Sequence, residues 1–343
     1  MKKIFLILGL SLAVAGCTDV EELEMDVPSV EKDLSQVQAY KEEVHPLSIV
    51  WFSNWKADGN MNSYLNTLPD SLDIVILEER TETLTEAQKT DLKVFQEQKG
   101  SKVLALLDLD MQYETYQVLL EDAEKTGEEK AEEKAAEEGR EATMDEINVA
   151  VEAEIASAKA EFAKLFDTLP DAMMAWIDSN GFDGLTLRIT VLGDIFYREL
   201  VEKQIVALGS KIGRKAGNKL FCLEGDSRYA NNNCGLFSYV ISTTVNAEKL
   251  AFVQQEFEQM SRMAEFVPEQ FICYLSVDGE SWKEPYSDII STVPVTATKA
   301  ESLALWKPSG GENIGGMALK GIEKHYDNDY AVLRETIQYL NLK

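Results

Sequence analysis

The chain has 343 residues, with 60 acidic and 33 basic side chains, and its formal net charge is −27 at pH 7. Because nucleic-acid affinity rests largely on phosphate neutralisation by Lys and Arg, so acidic a chain excludes nucleic acids as partners and is repelled by anionic lipid. Beyond the first 45 residues about 300 remain, which is enough for one large α/β domain with a sizeable core.

The first residues have the order of a lipoprotein signal peptide. Lys2 and Lys3 precede an apolar run from Ile4 to Val14, and small residues then lead to Cys17. The run is too short to span a bilayer comfortably, and its basic, apolar, small-residue order is that of an export signal. We predict that residues 1–16 are removed and that Cys17 is lipidated. An ordinary signal peptide with a cysteine near the cleavage site is the alternative.

An acidic segment follows the cysteine. It contains Asp19, Glu21, Glu22, Glu24 and Asp26. This segment resembles the signal that sends Bacteroides-type lipoproteins to the cell surface. We therefore predict a tether over residues 17–45, and an outer-membrane, lipid-anchored protein exposed at the cell surface. Loss of Lys2 and Lys3 with the signal moves the formal charge from −27 to −29.

Eight short apolar runs alternate with longer helical patterns after the tether. Unbroken apolar runs are typical of parallel strands that are covered on both faces. Strands are predicted at 48–52, 74–77, 102–107, 184–189, 219–223, 236–242, 270–276 and 315–319, with helices at about 86–99, 197–214, 247–263 and 327–341. This alternation predicts an α/β fold, a (β/α)₈ TIM barrel over residues 46–343.

A helical insertion separates the third and fourth predicted strands. Residues 113–166 are rich in Glu, Ala and Lys, with Glu-to-Lys pairs at helical spacing. We predict helix throughout, broken near Gly127 and Gly139. A docking arm is one interpretation of this segment, and a solvated helical excursion is favoured because charge runs usually face solvent.

Cysteine and histidine are sparse. After Cys17 only Cys222, Cys234 and Cys273 remain, and the histidines are His45 and His325. A Cys222–Cys234 disulfide is conceivable in an exported protein, but Cys222 sits in an apolar strand, and we expect three buried free thiols. These numbers and spacings argue against a metal site, a cofactor held by His or Cys, and a Ser-His-Asp triad.

Four segments carry a family resemblance. They are Val50–Trp55, Lys102–Leu106, Gly181–Gly184 and Gly315–Leu319, and they occur in the order of glycoside hydrolase family 18, the chitinases and endo-β-N-acetylglucosaminidases. The resemblance covers most of the chain after the tether. It implies a TIM barrel and an oligosaccharide partner that carries N-acetylglucosamine.

The fourth strand departs from the family's active-site motif, Asp-Gly-x-Asp-x-Asp-x-Glu. Asp183 and Gly184 match it, but Thr186, Arg188 and Thr190 replace its three later acids. In the family the Glu protonates the glycosidic oxygen and the preceding Asp holds the substrate's N-acetyl group. Threonine donates no proton usefully near neutral pH, and a cation opposes an oxocarbenium-like transition state. We predict no catalytic residue at these positions.

Other carboxylates follow predicted strands. They are Glu78, Glu79, Asp108, Asp110, Glu224 and Asp226. An active glycosidase in which one of them serves as a relocated acid is an alternative function. We favour salt bridges from Glu78, Asp108 or Glu224 to Arg188, because a buried arginine needs a partner.

Candidate ligand-binding residues follow the strand ends, because sugar faces stack on aromatic rings and polar side chains bond hydroxyl groups. They are Asn54, Trp55, Asp108, Tyr113, Glu224, Tyr229 and Trp282. Trp51 is predicted to lie in the core. The run Asn231-Asn232-Asn233 suits hydroxyl recognition or a turn.

These observations predict a non-catalytic surface glycan-binding lipoprotein, a pseudo-glycosidase that captures N-acetylglucosamine-containing or N-glycan-type oligosaccharides. It is similar to pseudo-enzymes that accompany outer-membrane glycan importer complexes. Two alternatives stay open, an active glycosidase with a relocated acid and a structural or host-interaction lipoprotein. An enzyme requires a carboxylate within reach of Thr190, and a glycan binder is favoured by exposed aromatic rings at the barrel mouth.

Overall fold

The computed structural model describes residues 33–80, 83–243, 248–288 and 297–342. In these ranges eight parallel strands close into a barrel, each hydrogen-bonded to its neighbours in chain order. The fold is the predicted TIM barrel. The predicted signal peptide, Cys17 and most of the acidic tether lie outside the described residues.

Strands and helices alternate after a first short helix. The strands are β1 (Leu47–Phe52), β2 (Ile74–Leu77), β3 (Lys102–Asp108), β4 (Gly184–Ile189), β5 (Leu220–Gly225), β6 (Tyr239–Ser242), β7 (Phe271–Ser276) and β8 (Gly316–Lys320). The helices are α1 (Ser35–Glu42), α2 (Glu86–Glu97), α3 (Leu109–Glu137), α4 (Met144–Asn180), α5 (Ile195–Gly209), α6 (Leu250–Met260), α7 (Lys299–Leu305) and α8 (Ala331–Leu340). The sixth strand is shorter than predicted because residues 234–236 form a 3₁₀ turn.

Alternation along the strands divides the core into two layers. On β4, Leu185, Leu187 and Ile189 pack outward against the helices, in the larger hydrophobic cluster. Thr186, between them, is fully buried and carries a hydroxyl without a hydrogen-bond partner. A smaller cluster with Trp51 fills the inside of the barrel. This division follows from the alternation of side chains along a strand.

Gly184 is required by the close approach of β4 and β5. A Cβ atom built on it would lie 2.1 Å from the carbonyl oxygen of Leu220. No side chain fits at that distance without moving the strands apart. The glycine that matches the family motif therefore has a packing role here.

The helical insertion is longer than predicted, because α3 begins directly after β3 and α4 continues to residue 180. Gly139 lies in the turn between them, as expected. The predicted break at Gly127 is wrong: this residue is inside α3, and a Cβ atom there would lie 2.5 Å from the Cα of Val151. Gly127 thus allows α3 and α4 to pack closely along their length.

The end of the predicted tether is ordered. Residues 35–42 form α1, and the ammonium of Lys41 donates to the carbonyl of Leu72 at 2.5 Å and to the hydroxyl of Ser101 at 2.6 Å. Burial lowers the pKa of Lys41 to about 8. Leu72 lies two residues before β2, and Ser101 directly precedes β3, so α1 packs at the end of the barrel where these strands begin. The tether prediction through residue 45 is corrected accordingly.

Cys222, Cys234 and Cys273 are free and buried, as predicted. Of the described helices, none combines the length and apolar character needed to cross a membrane.

Candidate functional site

The carboxyl ends of β3, β4 and β5 bring three charged residues to one level of the barrel mouth. Asp108 is the Cα partner of Arg188, and Arg188 is the Cα partner of Glu224. Paired residues on neighbouring strands point to the same face of a sheet. The strand register therefore places a guanidinium between two carboxylates, and Glu78 joins them from the end of β2.

Arg188 binds all three carboxylates. Its nitrogens lie 2.7 Å from Glu224, 2.8 Å from Glu78 and 3.3 Å from Asp108. Burial of the guanidinium works against its charge, but the adjacent Glu224 and Glu78 carboxylates outweigh this and raise the pKa of Arg188. The predicted salt bridges are confirmed. A permanent cation occupies the position where the family motif has an aspartate.

Glu224 is enclosed by protein donors. One oxygen accepts from Nε of Arg188 at 2.7 Å, and the other accepts from the indole N–H of Trp51 at 2.8 Å. The side chain is only 3% exposed. Burial raises the pKa of Glu224, and Arg188 offsets part of this rise. Its prediction as a ligand-binding residue is corrected, because both oxygens are occupied and the side chain does not reach the surface.

Lys320 completes the network and was missed from the sequence. Its ammonium lies 3.2 Å from Glu78 and 5.8 Å from the ring centroid of Trp51. The sequence signal for Lys320 is that it is the charged last residue of the otherwise apolar strand β8. Trp51 is fully buried, in agreement with its predicted place in the core.

Asp108 has two structural roles. One oxygen caps α3 by accepting from the backbone N–H groups of Asp110 and Met111 at 3.0 and 3.2 Å. The other oxygen faces Arg188. The side chain is half-buried at the mouth, so it stays accessible to a ligand even though it is not free of protein contacts.

Asp110 lies beside the position that lacks the family's acid. It accepts from the Thr190 hydroxyl at 2.6 Å and from the backbone N–H groups of Thr190 and Val191 at 2.8 and 3.1 Å. A carboxylate is thus within hydrogen-bond reach of Thr190. All three hydrogen bonds use Asp110 as an acceptor, so its oxygens are directed at the β4–α5 connection.

Trp55 is buried, and its prediction as a sugar-stacking residue is wrong. The side chain is 6% exposed, and its indole N–H donates to the buried carboxylate of Asp91 at 2.9 Å. Gln88 donates to the Trp55 carbonyl at 2.8 Å. The connection after β1 therefore folds against α2, which carries both polar partners.

Tyr229 is also buried, which overturns its prediction as a ligand-binding residue. It is 6% exposed, and its hydroxyl donates to the carbonyls of Val191 and Leu192 at 3.1 and 3.0 Å. Tyr113 is half-buried, with its ring 4.9 Å from that of Tyr197. These residues do not assemble into an exposed aromatic surface.

Trp282 and Asn54 are half-buried at strand ends. The Trp282 ring meets His325 edge-on at 5.7 Å, and the ammonium of Lys283 lies 5.4 Å from its centroid. Asn54 follows Ser53, which donates to Glu323 through its N–H and hydroxyl. Within the described ranges the Asn54 amide makes no side-chain hydrogen bond, so it is available to a ligand.

Within the part of the chain that the structure describes, no group of three or more His, Cys, Asp and Glu residues is arranged to hold a metal ion. The mouth carboxylates instead neutralise Arg188 and Lys320. Such an arrangement offers acceptors and cations to a polar ligand.

Comparison with known proteins supports these assignments of fold. The model of glycoside hydrolase family 18, BT1044-like, matches residues 18–255. The structure of a selenomethionine, glutamate-to-glutamine variant of BT1044 is 20% identical, with a TM-score of 0.64 over 90% of this chain and 91% of that chain. The endo-β-N-acetylglucosaminidase of Cordyceps militaris is 20% identical, with a TM-score of 0.58 over 90% and 95% of the two chains.

A family 18 chitinase of Pseudoalteromonas aurantia is 13% identical, with a TM-score of 0.53 over 85% of this chain and 99% of that chain. At these identities the structural likeness shows the barrel fold. No curated protein sequence matches the chain. The family match covers well over half of the sequence and includes the first six strands. The chain belongs to glycoside hydrolase family 18.

Proposed function

We propose that this protein is a non-catalytic lipoprotein that holds an oligosaccharide at the barrel mouth. The observation that carries the proposal is the Arg188 network, in which one guanidinium binds Glu78, Asp108 and Glu224. Arg188 occupies the position of the orienting aspartate in the family motif, and Thr190 occupies the position of the acid.

Hydrolysis needs a proton donor beside the glycosidic oxygen. Arginine does not release a proton near neutral pH, and threonine is far too weak an acid. Glu224 has the raised pKa that an acid needs, but its oxygens face Arg188 and Trp51 inside the barrel. The mouth is therefore suited to binding and not to general acid catalysis.

The family membership and the mouth's polar groups support a carbohydrate ligand. A doubly substituted mutant of the Cordyceps militaris enzyme has been solved in complex with fucosyl-N-acetylglucosamine-Asn. Here Asn54, Asp108 and Lys320 offer a donor, an acceptor and a cation to sugar hydroxyls, and Trp282 offers part of a ring. We infer an N-acetylglucosamine-containing or N-glycan-type ligand, recognised chiefly through hydrogen bonds because Trp55 and Tyr229 are buried.

Two assays on the purified chain test the proposal. Mass spectrometry of chitin oligosaccharides, high-mannose and complex N-glycans is expected to show no hydrolysis products. Calorimetry with the same glycans is expected to show saturable binding that Asn54→Ala and Trp282→Ala weaken. Asn313→Ala, an exposed amide before β8 at the other end of the barrel, serves as the matched control. Absence of any glycan ligand would leave the structural or host-interaction alternative.

One observation favours the alternative of an active glycosidase. Asp110 lies 2.6 Å from the Thr190 hydroxyl, where a relocated acid is needed. If Asp110 supplied the proton, Asp110→Asn would abolish turnover while Asn313→Ala would not. Reproducible turnover with that dependence would replace the non-catalytic proposal.

We also propose that Cys17 anchors the protein in the outer membrane with the barrel at the cell surface, next to a glycan importer complex. The support is the order of basic, apolar and small residues before Cys17 and the acidic segment after it. Cys17→Ala is expected to abolish labelling with palmitate and release the protein from membranes. Unchanged labelling would reject the anchor, and protease treatment of intact cells tests surface exposure separately.

A further inference from the structure

A second concave surface lies at the end of the barrel opposite the mouth. It encloses about 370 Å³ where β3, β4 and β5 begin, which is the lower end of the range of small-molecule sites. Its polar lining comes from Lys102, Asp183, Arg214, Asn218, Lys219 and Ser238. This basal pocket shares no residue with the mouth.

The loop between α5 and β5 makes this pocket basic. Residues 211–219 include Lys211, Arg214, Lys215 and Lys219 and no acidic residue, in a chain of net charge −27. Most of the loop is exposed. Distant acidic residues weaken an anion's attraction to the pocket only slightly, because charges more than about 8 Å away are largely screened at physiological ionic strength.

Each of the two pocket lysines pairs with one carboxylate, and in each pair one of the two side chains is largely exposed. Lys102 lies 3.3 Å from Asp183, and Lys219 lies 3.4 Å from Asp178. Lys102 and Asp178 are 54% and 60% exposed, respectively. Partly exposed ion pairs contribute little, so Lys102 can turn to a bound anion at small cost. Lys219 is 25% exposed and also donates to the Phe182 carbonyl at 2.6 Å, so it contributes its charge from a fixed position.

Arg214 has a guanidinium edge that makes no hydrogen bond to the described residues. Its Nη1 donates to the Glu265 carbonyl at 2.8 Å and to the Gln270 side-chain oxygen at 3.3 Å, and both acceptors are neutral. Across the described ranges no carboxylate lies within salt-bridge distance of this guanidinium, and its Nε and Nη2 donate to no protein atom. Glu265 has a φ of 64°, a conformation that costs a non-glycine residue energy. Arg214 is held through Nη1, and its Nε–Nη2 edge is free of hydrogen bonds to the described part of the chain.

We propose that the basal pocket binds a small anion that carries a phosphate or carboxylate group, about the size of a monosaccharide. The free Nε and Nη2 edge of Arg214 matches two oxygens of such a group. Lys102 and Lys219 add charge to the pocket lining. The Ser238 hydroxyl accepts from the Phe221 N–H at 3.2 Å and can still donate to the uncharged part of the ligand. This site does not depend on the function proposed for the mouth.

Calorimetry on the full chain tests the site with inorganic phosphate, glucose 6-phosphate, glucuronate and glucose. We expect saturable binding of at least one anion, weakening with added salt, and no binding of glucose. Response to phosphate compounds alone assigns a phosphate site, and response to glucuronate assigns a carboxylate site. Arg214→Gln is expected to weaken binding by about tenfold or more.

Arg334→Gln is the matched control, because it removes the same charge from α8, where Arg334 pairs with Asp329. If Arg214→Gln is unfolded by circular dichroism, Lys102→Gln, an exposed change, decides the matter. The proposal is overturned if no anion binds up to about 10 mM, a concentration that detects affinities near 1 mM. Equal binding of glucose, or equal affinity in the Arg214→Gln and Arg334→Gln proteins, overturns it as well.

Discussion

Replacing Arg188 with glutamine removes the cation that three mouth carboxylates share. Glu78 and Asp108 are each 20% exposed, so in the variant water can hydrate their carboxylates. Glu78 also retains its ion pair with Lys320, at 3.2 Å. Glu224 is 3% exposed and would keep only the Trp51 N–H. Breaking a buried ion pair on one side costs about 3–5 kcal/mol, because the other charge stays buried and uncompensated. We expect Arg188→Gln to lower the free energy of unfolding by that amount at pH 7.

Urea unfolding followed by circular dichroism measures the loss. Burial already raises the pKa of Glu224 above its unfolded value, so its ionisation destabilises the fold at neutral pH. The penalty in Arg188→Gln is therefore expected to shrink as the pH falls and Glu224 takes up a proton. A second change, Glu224→Gln, in the same chain should recover much of the lost stability at pH 7.

The control is Arg334→Gln, which breaks an exposed pair with Asp329. We expect it to cost less than about 1 kcal/mol. Two results would show that the mouth network is not a buried, coupled set of charges. One is an equal loss of unfolding free energy in Arg188→Gln and Arg334→Gln. The other is a variant with both Arg188→Gln and Glu224→Gln that is no more stable than Arg188→Gln alone.

Two further predictions concern the barrel itself. The hydrogen bond from His45 to Asp73, at 3.0 Å, outweighs the effect of burial and raises the pKa of His45. The protonated His45 therefore stabilises the fold at pH values below its unfolded pKa. This stabilisation is lost as the pH rises through the folded pKa. His45→Gln should therefore cost more stability at about pH 5.5 than at about pH 9 in urea unfolding, and a pH-independent cost would contradict this. Gly184→Ala places a Cβ 2.1 Å from the Leu220 carbonyl oxygen and should lower stability by about 1–3 kcal/mol or more in thermal unfolding, whereas Gly279→Ala, with open space around it, should not.

The strands were predictable because each is a short apolar run that is buried on both faces. β2 is one example, since all four of its residues are buried and all four are apolar. Element ends were less predictable. The predicted tether ran to residue 45, yet α1 forms because Lys41 finds acceptors at Leu72 and Ser101, which local sequence does not reveal.

The ligand-binding candidates illustrate the same limit. A residue that follows a strand is expected at the mouth, and this expectation predicts Trp55 and Tyr229 as ligand-binding residues. Their connections fold back because Asp91 and the carbonyls of Val191 and Leu192 offer polar partners to the indole and the phenol. Loop direction depends on such contacts between distant segments, which neither residue type nor spacing encodes.

The replacement of the family's acids by Thr186, Arg188 and Thr190 is a property of the sequence alone, as is the alternation that specifies a barrel. Only the tertiary structure decided how Arg188 is compensated. Its partners Glu78, Asp108 and Glu224 lie 110, 80 and 36 residues away, and the closed barrel brings all three to one guanidinium. A buried charge must find its counter-charges in space, and strand register, not distance along the chain, determines which carboxylates reach it.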